Sequence, residues 1–356
     1  MMAATDTILV IGAGPAGLEA ARGAAGLGKR VVLVEAREAI GGTPYAEYAT
    51  LTPDLRDTKE AMRALLEEVQ ADPAIELRVG TKVVASSGAV PDFHVALRGP
   101  SEDVVTVEVG AVVVATGFQH FDPGRATQIY GYYEYPDVIT LVDAERMFKQ
   151  GKVVRPSDGT PPERVAFIQC VGSRDRQVGN TYCSKVCCGV ASKQAIEIKE
   201  LLPTTKVFIF YIDMRTYGFW EDQLYWRAQE EHHVNYIRGV VTEVTKRGNR
   251  LLLKGEDTTF GKPLELEMDL VILSVGMEPS HGTREVASIF GLPLESHGFI
   301  ETVGGPLDAV STPVPGIFVS GTAAGPRDLE ESVSMGGAAA LKAVLLLNRL
   351  QQPAAR

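Results

Sequence analysis

Thr7-Ile8-Leu9-Val10-Ile11-Gly12-Ala13-Gly14-Pro15-Ala16-Gly17-Leu18 is the stretch on which the fold turns. Its first five residues are apolar after Thr7 and rich in β-branched side chains, the pattern of a buried parallel strand. The glycine turn leads into a helical stretch, Leu18 to Leu27, and a second strand, Arg30-Val31-Val32-Leu33-Val34, ends at Glu35. Strand, glycine turn, helix, strand and terminal acid together make a βαβ dinucleotide fingerprint. Gly12 serves the tight turn, Gly14 lets a pyrophosphate approach the backbone, and Gly17 lets helix pack on strand. Pro15 and Ala16 lie in the same turn and join the candidate contacts. The helix N-terminus attracts phosphate charge. Glu35 stands where an acid accepts hydrogen bonds from a ribose hydroxyl.

Working outward, two later segments favour FAD over NAD. Gly110-Ala111-Val112-Val113-Val114-Ala115-Thr116-Gly117 is a strand ending in Ala-Thr-Gly, as seen beside the cofactor in flavoproteins with two dinucleotide domains. Gly316-Ile317-Phe318-Val319-Ser320-Gly321-Thr322 is a late strand, followed by a long helix from about Leu329. It has the form of a closing flavin-binding motif, except that Thr322 stands where an aspartate is usual. Ala36, Gly42, Thr43 and Val83 complete the candidate flavin envelope, beside Ala115, Thr116, Gly117, Gly321 and Thr322. The fold expected is α/β, a two-dinucleotide-binding, thioredoxin-reductase-like flavoprotein. Its FAD domain spans 1–121 and 279–356, interrupted by a second Rossmann-like module at 122–278.

That module has its own rhythm of strand Arg164–Gln169, helix Ala191–Leu202, strand Lys206–Ile212 and strand Asp269–Gly276. The turn after its first strand is Cys170-Val171-Gly172-Ser173-Arg174, where a nucleotide-binding domain would carry a second set of three glycines. All four cysteines of the chain fall here, as Cys170-x12-Cys183-x3-Cys187-Cys188. Four thiols gathered this way suit an iron–sulfur cluster or a structural zinc. Two disulfides are a third reading, disfavoured by the strain of bonding adjacent cysteines and by reducing compartments. The segment after the second strand, Ile40-Gly41-Gly42-Thr43-Pro44-Tyr45, lacks the cysteine pair of flavin disulfide reductases.

The net charge of -10 argues against nucleic acid or an anionic membrane as partner. The start, Met1-Met2-Ala3-Ala4-Thr5-Asp6, lacks the features of a secretory leader. Ala338 to Leu347, interrupted by Lys342, is too short to span a bilayer. A cytoplasmic protein is expected. Tyr130-Gly131-Tyr132-Tyr133-Glu134-Tyr135 reads either as a partner or dimer surface or as a loop packed over the core.

Phe167-Ile168-Gln169-Cys170-Val171-Gly172-Ser173-Arg174-Asp175, Tyr182-Cys183-Ser184-Lys185-Val186-Cys187-Cys188, Tyr211-Ile212-Asp213-Met214-Arg215-Thr216-Tyr217-Gly218 and Gly321-Thr322-Ala323-Ala324-Gly325-Pro326-Arg327-Asp328 strongly resemble the A-type polypeptide of heterodisulfide reductase. The likeness runs over nearly the whole chain. It implies FAD, and a [4Fe–4S] cluster on Cys170, Cys183, Cys187 and Cys188. It also implies that Lys193 reaches towards the flavin N5 side, against the plain reading of a solvated helix lysine. The methanogen polypeptide carries an extra N-terminal region and ferredoxin-like C-x2-C modules that this sequence lacks. The short form looks like the A-type polypeptide of the heterodisulfide-reductase-like complex of sulfur oxidisers. B-type and C-type partner subunits, sulfane-sulfur chemistry and a homodimer follow from that resemblance. The rival expectation is a stand-alone NAD(P)H-dependent flavin oxidoreductase with a structural zinc.

Overall fold

Strand β1 (Thr7–Ile11) is buried along its full length because both of its faces are covered. In the computed structural model, which describes residues 6–125 and 128–352, it is the middle of a five-stranded parallel sheet. Its neighbours are β2 (Arg30–Val34) on one side and the strand Ala111–Val114 on the other, with Ile8 opposite both Val31 and Ala111. Alternation along β1 divides two cores. Ile8 and Val10 face helix α1 (Pro15–Gly26) and the long helix Leu329–Gln351. Leu9 and Ile11 face the other way, onto Phe93, Val95 and Leu97 of an antiparallel strand. Each such side chain, fully removed from water, contributes roughly 1.5–3 kcal/mol.

The chain divides into two compact units. Unit 1 takes residues 1–46, 59–119 and 278–356, and unit 2 takes 47–58 and 120–277. Against the expected domains at 1–121 with 279–356 and at 122–278, residue 278 falls in unit 1, and residues 120–121 and the whole of 47–58 fall in unit 2. For 47–58 the reason is polar. The Ala49 N–H donates to Glu145, and Thr50 is held by both Glu197 and Lys193. The start Met1–Thr5, read above for a leader, lies outside the described residues.

Unit 2 carries a seven-stranded sheet. Within it β3 (Arg164–Val171) pairs in parallel with β4 (Lys206–Tyr211), the central strand, on one side and β5 (Leu270–Val275) on the other. Helix α2 (Leu141–Phe148) is closed by a capping box between Thr140 and Asp143. Helix α3 runs Cys187–Leu201, four residues longer at its start than the sequence pattern indicates. It is buried almost all round from Cys187 to Glu197, so it lacks the polar stripe by which a surface helix announces its limits. Tyr130, Tyr132 and Tyr135 pack partly on the core of unit 2, while Tyr133 is exposed.

The helix Leu329–Gln351 is longer than the apolar stretch read from the sequence. By length and composition it could cross a membrane, a criterion that a core helix also meets. In unit 1 one flank of it buries Met335, Ala339, Ala340, Ala343, Val344 and Leu347 in the core.

Candidate functional sites: a dinucleotide cradle and a four-cysteine centre

In unit 1 the glycines do what the fingerprint requires. Gly12 has φ +103°, and a Cβ there would lie 2.3 Å from the Ala115 carbonyl oxygen. A Cβ on Gly17 would lie 1.8 Å from the Gly12 carbonyl oxygen, so only glycine lets α1 sit this close to β1. Gly14 differs. Its φ is ordinary, and a Cβ there would meet only the Gly42 Cα, at 3.7 Å. The protein leaves that space open, as a pyrophosphate approach needs. Gly14→Ala is therefore expected to fold with little loss of stability yet lose flavin; thermal melting and bound-flavin absorbance on one sample check this. An unchanged flavin content would remove Gly14 from the site.

Glu35 is already at work in the protein. Its carboxylate accepts from the Ala13 N–H at 2.8 Å and the Arg37 N–H at 2.9 Å, tying the end of β2 to the glycine turn. A carboxylate has acceptor sites beyond these two. Ala36 is exposed beside it, and Val83 is buried in the core. Gly42 packs on Gly14, Thr43 follows it half-buried, and Gly321 packs on Ala16, which follows Pro15 at the start of α1. Gly117 lies near the Thr322 hydroxyl, so the three glycine-bearing segments converge.

Sequence reading missed a hydroxyl cluster here. Thr116 Oγ1 lies 2.7 Å from Thr283 Oγ1, and the Ser280 hydroxyl donates to the Thr116 carbonyl. Ser280 caps the helix His281–Phe290, and Pro279-Ser280-x-x-Thr283 was the available signal. Ser320 Oγ, next to Gly321, is buried without a hydrogen-bond partner in the protein. A bound cofactor with hydroxyl or phosphate groups fits this unit: cradle, open Gly14 and orphaned hydroxyl agree.

In unit 2 the four cysteines come together from three segments. Cys170 sits where β3 and β5 lose register between Ile168 and Val171, and it holds φ +64°. Arg174 and Lys185 also have left-handed backbone, at +55° and +70°. Non-glycine residues in that region cost of order 1–3 kcal/mol each and cluster at functional sites. The Cys183 sulfur accepts the Lys185 N–H at 3.3 Å. Cys187 and Cys188 form the first turn of α3, with thiols at 3.8 Å from the carbonyl oxygens of Val275 and Asp213. None of the four forms a disulfide.

The four thiols are electrostatically coupled. Burial pushes the Cys187 thiol well up, and the charges of Cys188, Cys170 and Cys183 push it further. Burial likewise raises Cys188 to about 11 and lifts Cys170. Such thiols stay protonated until a metal displaces the protons. Yet among the described residues no group of three or more His, Cys, Asp or Glu converges on a point where one ion could sit. Four thiols in one segment are a donor set that either an iron–sulfur cluster or a zinc could use.

In unit 2 the turn after β3 and the start of α3 each pack a glycine against an aromatic ring. A Cβ on Gly172 would collide with the Phe121 ring at 2.0 Å, and one on Gly189 with Trp220 at 2.4 Å. Gln169, just before Cys170, is buried with neither side-chain polar atom bonded.

Lys193 is not a solvated lysine. Its side chain is fully buried in unit 2, 2.6 Å from Glu145, 3.7 Å from Glu197 and 3.0 Å from the Thr50 carbonyl oxygen, with its ammonium over the Tyr48 ring. Glu145 and the Thr50 carbonyl take two of its donors, and Glu197 adds an ion pair beyond hydrogen-bond distance. Glu145 also accepts from Gln194 and the Ala49 N–H. Burial and Glu145 raise the Glu197 carboxyl, while Lys193 and Thr50 pull it back.

The sequence pattern of the pyridine nucleotide-disulphide oxidoreductases matches residues 6–340. The chain belongs to that family. It is thus an oxidoreductase with the two-dinucleotide flavoprotein fold, and FAD is the cofactor that the family and fold support. Its homologues include the A-type polypeptides of heterodisulfide reductases. One, from the H(2):CoB-CoM heterodisulfide,ferredoxin reductase of Methanothermobacter thermautotrophicus, is 38% identical over 247 residues, covering 68% of this chain and 37% of the relative. Another, from the ferredoxin/F(420)H(2)-dependent CoB-CoM heterodisulfide reductase of Methanosarcina acetivorans, is 32% identical over 426 residues, covering 97% and 53%. The chain thus spans about a third to a half of these relatives. Among solved structures, thioredoxin reductase from T. acidophilum matches at TM-score 0.65 and 20% identity, over 96% of this chain and 98% of that one. The Lactococcus lactis enzyme matches at 0.66 and 19%, over 97% and 100%. At those identities the likeness speaks for the fold alone.

Proposed function

We propose that this protein is the FAD- and [4Fe–4S]-bearing electron-transfer component of a cytoplasmic heterodisulfide-reductase-like complex. Four free, electrostatically coupled thiols in a domain whose first strand ends in Cys170 and not in a three-glycine turn carry this reading. The cluster would be held by Cys170, Cys183, Cys187 and Cys188. FAD would be held by the Gly12–Gly17 turn with Glu35 and the Ala115–Gly117 and Gly321–Thr322 segments. FAD exchanges electrons singly or in pairs and an iron–sulfur cluster exchanges them singly, so the two together supply a converter between both kinds of step.

The chain's own residues then bind, bury and tune. Burial at Cys187 and Cys188 keeps water from the thiolates, and hydrogen bonds and nearby charge adjust the potential. The sulfur chemistry itself is assigned to B-type and C-type partner subunits, with sulfane sulfur as the substrate class and a homodimer of this chain at the centre. The sulfur-oxidising assignment rests on the resemblance to the short form.

The test is an anaerobic visible spectrum with iron, sulfide and zinc analysis on one sample. Flavin bands over a broad shoulder, with about four irons per chain, are expected. NAD(P)H should fail to bleach the flavin. One zinc without sulfide, and rapid bleaching by NAD(P)H, would instead establish the stand-alone flavin oxidoreductase.

A further inference from the structure

One charged side chain acts on two of the four thiols and has no part in the roles assigned above. Arg174 lies in the loop between Cys170 and Cys183, and its side chain is 19% exposed. One guanidinium nitrogen donates to Asp213 at 2.7 Å. The other terminal nitrogen, Nη1, is buried with no hydrogen-bond partner in the protein. Asp213 links the arrangement back to the site, since its own carbonyl oxygen faces the Cys188 sulfur. The Arg174 charge acts on two of the thiols, holding Cys170 and Cys188 down against burial.

The chain goes to some expense to put the arginine there. Arg174 keeps a left-handed backbone, and its own N–H is bonded to the Tyr182 carbonyl oxygen at 2.8 Å. That backbone bond holds the loop whatever the side chain is. The guanidinium, anchored on Asp213, is thus left to act on the Cys170 sulfur, with which it interacts directly.

We propose that Arg174 sets how readily the group on the four cysteines accepts an electron, with its guanidinium, anchored by Asp213, stabilising the extra negative charge of the reduced state. This rests on the iron–sulfur reading above. One electron arrives and no bond is made or broken. The product carries one more negative charge, which a neighbouring fixed cation favours in a partly desolvated site. Arg174 is thus a positioning residue that acts on potential, not a ligand. Arg215 and Arg238 also approach Asp213, at 3.9 and 3.7 Å, but their side chains are 49% and 59% exposed, so solvent weakens their effect without abolishing it.

The experiment is an anaerobic redox titration of the full chain with dithionite as reductant, followed by electron paramagnetic resonance. Iron and sulfide are counted on every sample. Arg174→Gln should keep its iron and be about tenfold harder to reduce, which for one electron is a shift of about 59 mV to more negative potential. Arg174→Lys, which keeps the charge, should stay near the wild type. Arg215→Gln should move in the same direction by less, and Arg238→Gln by less still. An unmoved Arg174→Gln, or an Arg174→Lys shifted as far as it, overturns the proposal by making the side chain merely structural. Should Arg174→Gln fail to load iron, Arg215→Gln decides: no negative shift there also overturns it. Wild-type protein holding zinc and no sulfide sinks the functional reading itself. Iron-loaded protein with unmoved potentials sinks only the role of Arg174.

Discussion

Cys183→Ala is expected to leave a yellow protein without iron. Metal content should fall from about four irons per chain to near zero, while flavin stays at wild-type occupancy. Each unit has its own sheet and core, and the candidate flavin contacts named above all lie in unit 1. Cys183 lies in unit 2, on the loop that enters α3. It is half-buried, and the Lys185 N–H bonded to its sulfur can turn to water when that sulfur is removed. The variant should therefore fold. Its loss is one of four thiolates that must act together, and binding energy at such sites is shared across the whole ligand set. Iron, sulfide and flavin measured on one sample check this. Full cluster absorbance in the variant would remove Cys183 from the ligand set.

The second large effect is on stability. Lys193→Met should destabilise unit 2 by about 3–5 kcal/mol near neutral pH, because it leaves Glu145 and Glu197 buried without their cation. The pH dependence follows from Glu197. Burial holds its carboxyl above the usual range, and Lys193 is one of two influences that pull it down, Thr50 being the other. A carboxyl whose folded pKa lies above its unfolded one binds its proton more tightly in the folded state. Stability then falls as pH rises from the unfolded pKa through the folded one. Removing Lys193 raises the folded value further and widens that window. Denaturant melts at about pH 8 should thus show a larger loss than melts at about pH 5, where protonation relieves the site. A loss equal at both pH values would mean that the lysine contributes packing and not charge.

The difference between what was legible and what was not is physical. The turn at Gly12 could be read because its demands are local: φ +103° and a carbonyl at 2.3 Å from a would-be Cβ admit only glycine. The buried strands on either side announce themselves by β-branched runs for the same reason. Residues 47–58 could not be placed, because what draws them to unit 2 is Glu145, Lys193 and Glu197, far along the chain. The plain reading of Lys193 as solvated fails because it rests on the usual exposure of lysine, and nothing local shows that α3 is enclosed. The Arg174–Asp213 pair spans 39 residues and has no periodic signature.

The sequence by itself determined the dinucleotide turn, the family and the grouping of four thiols in one segment, because each depends on residue types at short spacings. Tertiary structure decided the rest. It placed Cys170 in a break of register between two strands, packed Phe121 against Gly172, and closed Lys193 inside a pair of carboxylates. It also set a guanidinium beside the cysteines. Those features arise from contacts between segments distant in the chain, where burial changes what a charge or thiol costs and a sequence pattern carries no record of it.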